Sequence, residues 1–320
     1  MQPLDSEHGL YDVAIVGGAA AGLTAALYTS RQGLKTIVLT KDIGGQALLT
    51  PHIENYPGFE SIGGLELMEK FKEQAVQFGT EFVYEEVKEI ETIENWFKLK
   101  TPLNEYRATS VVLAFGKTPK DLGVPGEEGL VGKGVSYCAV CDGPLFKDRV
   151  VGVVGWGNSA LEAAIMLCNI AKKVYLVFRS GQVIGHGALM QECVESGSVE
   201  PVPRSLVVEV RGEPVLHSVV LKDVKTDETR ELELDGLFVE MGYMAKTEFV
   251  KDLVDLSDTE EIIVAKDCST SHVGIFAAGD VTDTPYKQAV ISAGQGATAG
   301  LSAYHYVQNL RGKPAAKADW

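Results

Sequence analysis

A chain of 320 residues has room for two domains of ordinary size, and 45% hydrophobic with 23% charged residues is the balance of a globular protein in water. The formal net charge of −15 works against non-specific nucleic-acid binding and against docking on an anionic membrane. No apolar run reaches the length of a transmembrane helix, and the opening MQPLDSEHGLYD lacks the basic and apolar regions of a signal peptide, so a cytoplasmic protein is expected.

In chain order, YDVAIVG (11–17) is a short apolar run ending in glycine, as in a buried parallel strand. GAAAGLTAALYTSRQG then reads as an alanine-rich helix closed by Gly33, and KTIVLT (35–40) as a second strand. Residues 80–115 alternate apolar and polar side chains around the turns IENW and PLNE, which predicts hairpins. The strand–glycine turn–helix–strand pattern recurs as RVVGVVG (149–155), GNSALEAAIMLCNIA and KKVYLVFR. SVVLKDV and TRELELDGLFVE form a further hairpin leading into a buried strand, and VGIFAAGDV (273–281) reads as one more buried strand. Two such βαβ modules predict an α/β protein with two doubly wound, Rossmann-like three-layer domains. The second is inserted into the first, through short crossings near Thr118–Leu122 and Gly242–Glu248.

The first turn aligns to G-x-G-x-x-G with Gly17, Gly18, Ala19, Ala20 and Gly22, so Ala19 stands at the middle glycine. A turn of this kind brings backbone amides and a helix N-terminus to a pyrophosphate. The acidic residue expected at the end of the second strand is Thr40, whose hydroxyl or backbone would have to meet the ribose. The second turn, Gly155-Trp156-Gly157-Asn158-Ser159-Ala160, fits G-x-G-x-x-A, with Ser159 and the helix amides suited to a phosphate. Trp156 between its glycines is expected to pack on the protein rather than to stack on a ligand. Arg179 ends the following strand, as a phosphate ligand or as a solvated charge.

Cys138 and Cys141 form a C-x-x-C pair followed by Asp142. A zinc site would need a second such pair or two spaced histidines, which the chain lacks, so no metal is expected and a redox dithiol is. At a helix start the thiol is acidified, and the thiolate is the attacking species in disulfide exchange. Asp142 is placed to relay protons, or serves as an ordinary N-cap. Cys168 lies in an apolar helical run and reads as a core residue, while Cys193 and Cys268 carry no functional signal.

The run Cys138-Ala-Val-Cys141-Asp-Gly resembles low-molecular-weight thioredoxin reductase, together with Gly44-Gly-Gln46, Glu54-Asn-Tyr-Pro-Gly-Phe59, the two βαβ modules and Phe276-Ala-Ala-Gly-Asp280-Val. The likeness runs in order over nearly the whole chain. It implies an FAD-binding domain formed by residues 1–119 and 247–320, and an inserted domain, residues 120–246, carrying the dithiol. By position it places Gly17, Gly22, Thr40 and Lys41 at the ADP half of FAD and Val87 at the adenine. Gly45, Gln46 and Asn55 fall near the isoalloxazine, Gly116, Gly279 and Asp280 near the pyrophosphate and ribityl chain, and Gln288 and Ala289 at the flavin edge. Lys287 replaces the family's arginine. Cys141 is expected nearer the flavin and Cys138 nearer a thioredoxin-like or other disulfide partner, in a homodimer.

The departures cluster at the nucleotide donor. The family's second module ends in H-R-R with a further arginine four positions on; here those positions are Phe178, Arg179, Ser180 and Ile184. Losing charge-assisted bonds to a dianionic phosphate weakens NADPH binding severely. The expectation is a flavin-dependent disulfide oxidoreductase that does not use NADPH. A second FAD is the preferred other partner, as in the diflavin-linked disulfide oxidoreductases, with Gly155–Ser159, Arg179 and the terminal Trp320 as candidate contacts. An electron-transfer protein such as ferredoxin is the other. The alternatives are an NADPH-dependent thioredoxin reductase and a flavin-binding redox sensor without turnover.

Overall fold

A computed structural model describes residues 9–49, 53–181, 195 and 197–313. It divides into two compact units, Met1–Thr118 with Ala245–Trp320, and Pro119–Met244.

The first unit is built on a seven-stranded sheet. Strand β1 (Tyr11–Val16) is buried at five of its six positions, and β2 (Thr36–Leu39) at all four, because both faces are covered, one by residues such as Ala25 and Ala303 and the other by Ala245, Val250, Val254 and Ile262. Between them, α1 (Ala20–Arg31) turns Ala21, Ala25 and Ala26 into the core. After α2 (Gly64–Gln77) come β3 (Glu81–Val83), β4 (Glu89–Ile93), β5 (Trp96–Lys100) and β6 (Glu105–Leu113). The order is β3-β2-β1-β6-β5-β4, parallel as far as β6 and antiparallel beyond it. On the side away from β1, long β6 serves two neighbours, since its first half pairs with β5 and its second half with the strand Ile275–Ala277. That strand is shorter than the apolar run 273–281 predicts. The Gly279 backbone turns at φ +82°, and its amide leaves the ladder for the Gln295 side chain (2.9 Å). The final helix, Ala289–Leu310, packs on α1 through small residues, Gly296 against Ala21 and Gly300 against Ala25.

The second unit has a five-stranded parallel sheet in the order Val199–Val202, Lys173–Val177, Val150–Val154, Gly236–Val239, Val135–Ser136. The helix Asn158–Cys168 packs Leu161, Ala164 and Leu167 on one face. A three-stranded antiparallel sheet, Ser205–Gly212, Leu216–Asp223 and Thr229–Glu233, supplies Val207, Val210, Leu216 and Val219 to a second core cluster. The segments entering and leaving this unit lie side by side, with the Lys120 amide donating to the Gly242 carbonyl (2.8 Å). Close by, the buried carboxylate of Glu127 accepts the amides of Leu122 and Gly123 and the Tyr137 hydroxyl, each at 2.8 Å. Among the described residues no helix is long and apolar enough to cross a membrane.

Candidate active site: two glycine turns and a cysteine turn

In the first unit the turn after β1 must be glycine. Gly17 sits at φ +116°, and a Cβ there would lie 2.3 Å from the Ala114 carbonyl oxygen. The N-cap of α1 is Ala19, which offers no side-chain cap, and the first turn holds no acidic residue. The leading amides, from Ala20 to Gly22, are therefore unclaimed by any capping side chain and suited to an anion. Gly18 lies against the Thr40–Asp42 loop. The Thr40 hydroxyl, expected to stand in for a ribose-binding carboxylate, donates instead to the Asp42 carbonyl (2.6 Å), so only a lone pair remains for a ligand. Lys41 is exposed.

Residues from both ends of the chain meet along this edge. The Gln46 side-chain amide donates to the Lys117 carbonyl (3.3 Å), and Asn55 donates to the Gln288 side chain (3.0 Å) at the start of the final helix, one residue before Ala289. Ser292 donates to Asp280 (3.0 Å), and the Gly45 amide donates to Asp42 (3.1 Å). Gly116 holds φ +66° with open space where a Cβ would stand. The Val87 side chain is buried in the core, so only its backbone is available to an adenine. Lys117 and Lys287 both pair with Glu261, at 2.7 and 2.9 Å. Burial disfavours the charged carboxylate, but hydrogen bonds from Lys117, Lys287 and Thr259 outweigh it and hold the acid down at about 2. No motif announces Glu261; its partners come from distant segments.

In the second unit Cys138 is half-buried and disulfide-bonded, and Cys141 lies in the short helix Ala139–Asp142 that follows it. Ser136, which the sequence did not single out, ties this turn together. Its hydroxyl accepts the Cys138 amide (3.1 Å) and donates to the Asp142 carboxylate (2.7 Å). Asp142 precedes the 3₁₀ turn Gly143–Phe146 but makes no capping bond to it, which sets the N-cap reading aside. Val140 and Leu145 are exposed apolar side chains beside the cysteines, Leu145 at 78%.

The second glycine turn follows the strand Val150–Val154. A Cβ on Gly155 would stand 2.2 Å from the Glu240 carbonyl oxygen, so the neighbouring strand end can approach only a glycine. Gly157 caps the next helix without a side chain, and Asn158 and Ser159 are exposed at its start. Trp156 corrects the sequence expectation, since it is 44% exposed rather than packed in the core. Phe178 is buried in the hydrophobic cluster, which explains why it cannot serve as a phosphate ligand. Arg179 is exposed and, among the described residues, makes no ion pair. Ile184, Cys193 and Trp320 lie outside the described residues. Cys168 and Cys268 are free, and burial with the Asp267 charge pushes the Cys268 thiol up to about 11, which makes it a poor nucleophile.

Residues 11–296 match the pyridine nucleotide-disulphide oxidoreductase family. Thioredoxin reductase of Treponema pallidum is 39% identical over 303 residues, covering 94% of this chain and 98% of that protein. The chain belongs to the thioredoxin reductase family. It is a flavoprotein disulfide oxidoreductase with the thioredoxin reductase-like α/β fold. The Lactococcus lactis thioredoxin reductase in its FR conformation superposes with a TM-score of 0.79 at 36% identity, over 93% of this chain and 99% of that one. A ferredoxin-flavin thioredoxin reductase from Clostridium acetobutylicum superposes at 0.54 with 31% identity, over 95% and 99%.

Proposed function

We propose that this flavoenzyme reduces a thioredoxin-like protein disulfide through Cys138 and Cys141, with electrons drawn from a protein carrier of ferredoxin type rather than from NADPH. The flavin unit is Met1–Thr118 with Ala245–Trp320, and the dithiol unit is Pro119–Met244. The observation that carries the choice of donor is the end of the strand Lys173–Val177. Phe178 is core and Ser180 replaces a second arginine, so of the family's anchor positions among the described residues only Arg179 is a cation, and a 2′-phosphate loses charge-assisted bonds at the others.

FAD fits the first unit: the glycine turn and the uncapped start of α1 would hold its pyrophosphate, and Asn55 with Gln288 the flavin edge. Bound there, it supplies two-electron exchange with a disulfide. Cys138, flanked by exposed Val140, is the thiol that attacks the partner disulfide, and Cys141 closes the ring again. Asp142 and Ser136 form the hydrogen-bonded pair that holds or passes a proton as the ring opens and closes. The second-flavin expectation, with candidate contacts at Gly155–Ser159, Arg179 and Trp320, has no support from the relatives, and Trp320 lies outside the described residues. A homodimer is part of this reading, and gel filtration tests it.

Anaerobic titration with NADPH, followed by flavin absorbance, tests the donor. The proposal expects little bleaching by NADPH and rapid bleaching by reduced ferredoxin. A second reading, an NADPH-dependent thioredoxin reductase, is favoured by the intact turn Gly155–Ala160. Stoichiometric bleaching by NADPH would establish that reading and overturn the first.

A further inference from the structure

We propose that Ser136 is a positioning residue of the dithiol whose hydroxyl turns between the Asp142 carboxyl group and the Cys138 carbonyl, so that Asp142 takes up and gives back one proton without moving. The inference rests on the reading of Cys138 and Cys141 as the redox pair with Asp142 as their proton carrier. Ser136 is buried at the end of the strand Val135–Ser136, in parallel register with Phe238 of the central strand Gly236–Val239. The next residue, Tyr137, is held by its bond to Glu127 (2.8 Å). The hydroxyl therefore projects from a fixed backbone into the cysteine turn. Three groups of that turn lie within its reach: the Cys138 amide at 3.1 Å, Asp142 Oδ2 at 2.7 Å and the Cys138 carbonyl oxygen at 3.3 Å.

A hydroxyl carries one proton and two lone pairs. The Cys138 amide takes one lone pair in every state. An ionised Asp142 only accepts, so the hydroxyl aims its proton there in a short, charge-assisted bond. A protonated Asp142 donates along the same line into the second lone pair, and the hydroxyl proton turns to the Cys138 carbonyl. That carbonyl accepts the Asp142 amide (3.1 Å) and has a second lone pair to spare for the hydroxyl. Every bond of this set is made in both states, whereas a buried polar group left unpaired in either would oppose the change.

Opening the disulfide breaks the S–S bond with the two electrons that the flavoprotein activity delivers and leaves two sulfur anions. Asp142 gives its proton to one, the other stays a thiolate, and the hydroxyl turns to the new carboxylate. The Cys138 thiolate attacks a partner disulfide, forms a mixed S–S bond and expels one partner thiolate. Asp142 takes back the proton of the Cys141 thiol, and the hydroxyl returns to the carbonyl. The Cys141 thiolate then reforms the ring S–S bond and expels the second partner thiolate.

The test uses the full-length flavoprotein, reduced with dithiothreitol, desalted anaerobically and mixed in a stopped-flow instrument with one equivalent of dithiobis(nitrobenzoate). The first coloured thiolate released reports attack by Cys138, the second reports ring closure, and peptide mass places the mixed disulfide. Ser136→Ala should keep the first release within about threefold of wild type and slow the second roughly tenfold to a hundredfold, the worth of one hydrogen bond to a charged group. Ser136→Thr, which restores the hydroxyl, should bring the second release back to within about threefold of wild type. Equal slowing of both releases, no slowing of either, or a threonine variant as slow as alanine overturns the role of Ser136. Absence of a mixed disulfide at Cys138 in the wild type overturns the dithiol reading instead. Should Ser136→Ala fail to retain flavin, the wild type in deuterium oxide decides: the second release alone should slow, by about twofold or more, because only that step moves a proton between thiol and carboxylate. A second release that does not slow in deuterium oxide overturns the proposal.

Discussion

The carboxyl-terminal edges of the parallel strands in the two sheets follow one plan and carry different charged side chains. At the first, Lys117 follows β6 and shares the carboxylate of Glu261 with Lys287, and Asp42 and Asp280 are held by hydrogen bonds on the same edge. At the second, the Glu240 backbone faces Gly155, its side chain makes no ion pair among the described residues, and Arg179 at the end of the next strand is exposed. Ligands of open α/β sheets bind at such edges, so the side chains flanking each turn bear on which ligand it takes. A glycine motif thus specifies how closely a backbone approaches a ligand, while the flanking charges decide which ligand stays.

Four measurements break or sharpen this contrast. The largest effect belongs to the second unit alone. Cys138→Ser should lower steady-state disulfide reduction by roughly a thousandfold or more, with flavin absorbance unchanged. Next, Gly17→Val forces a side chain into the Ala114 carbonyl and should reduce retained flavin to below about a tenth of wild type, whereas Gly155→Val should keep its flavin. Equal flavin loss in both would erase the division of labour between the turns. Third, Ser180→Arg adds the missing cation at an accessible position and should tighten NADPH roughly tenfold to a hundredfold, the worth of one charge-assisted bond, read as KM or by fluorescence. No change would show that the charge at the edge, not the anchor, governs binding.

The smallest effect is on stability. Glu261 is held at about 2 against an ordinary 4.5, so its ion pairs stabilise the fold fully above about pH 4.5, and that stabilisation is lost as pH falls toward 2. Glu261→Gln should cost on the order of 2 kcal/mol at neutral pH and nearly nothing at about pH 2, as denaturation midpoints across that range would show. A pH-independent difference would mean that the two lysines are not its principal partners.

Much of the fold was legible because its determinants are local. Glycine spacing and apolar runs set both strand–turn–helix units, and Glu94 at φ 46° sits in the IENW turn where alternation breaks. The strand ending at Ala277 was overestimated because the apolar run continues while the backbone turns at Gly279. The candidate site was legible at the cysteine pair and less so around it. Ser136 and Glu261 belong to no motif; each matters through a partner that the fold brings to it. Trp156 misled because tryptophan usually packs, and here a turn projects it outward.

Glu127 has a mechanical consequence. One buried carboxylate grips the amides of Leu122 and Gly123, just inside the second unit, and the hydroxyl of Tyr137, the residue before Cys138. Burial and this bond to Glu127 push the Tyr137 phenol well above its ordinary range, so the hydroxyl keeps its proton and the link holds across physiological pH. One side chain therefore ties the chain's entry into the unit to the residue that precedes the cysteine turn.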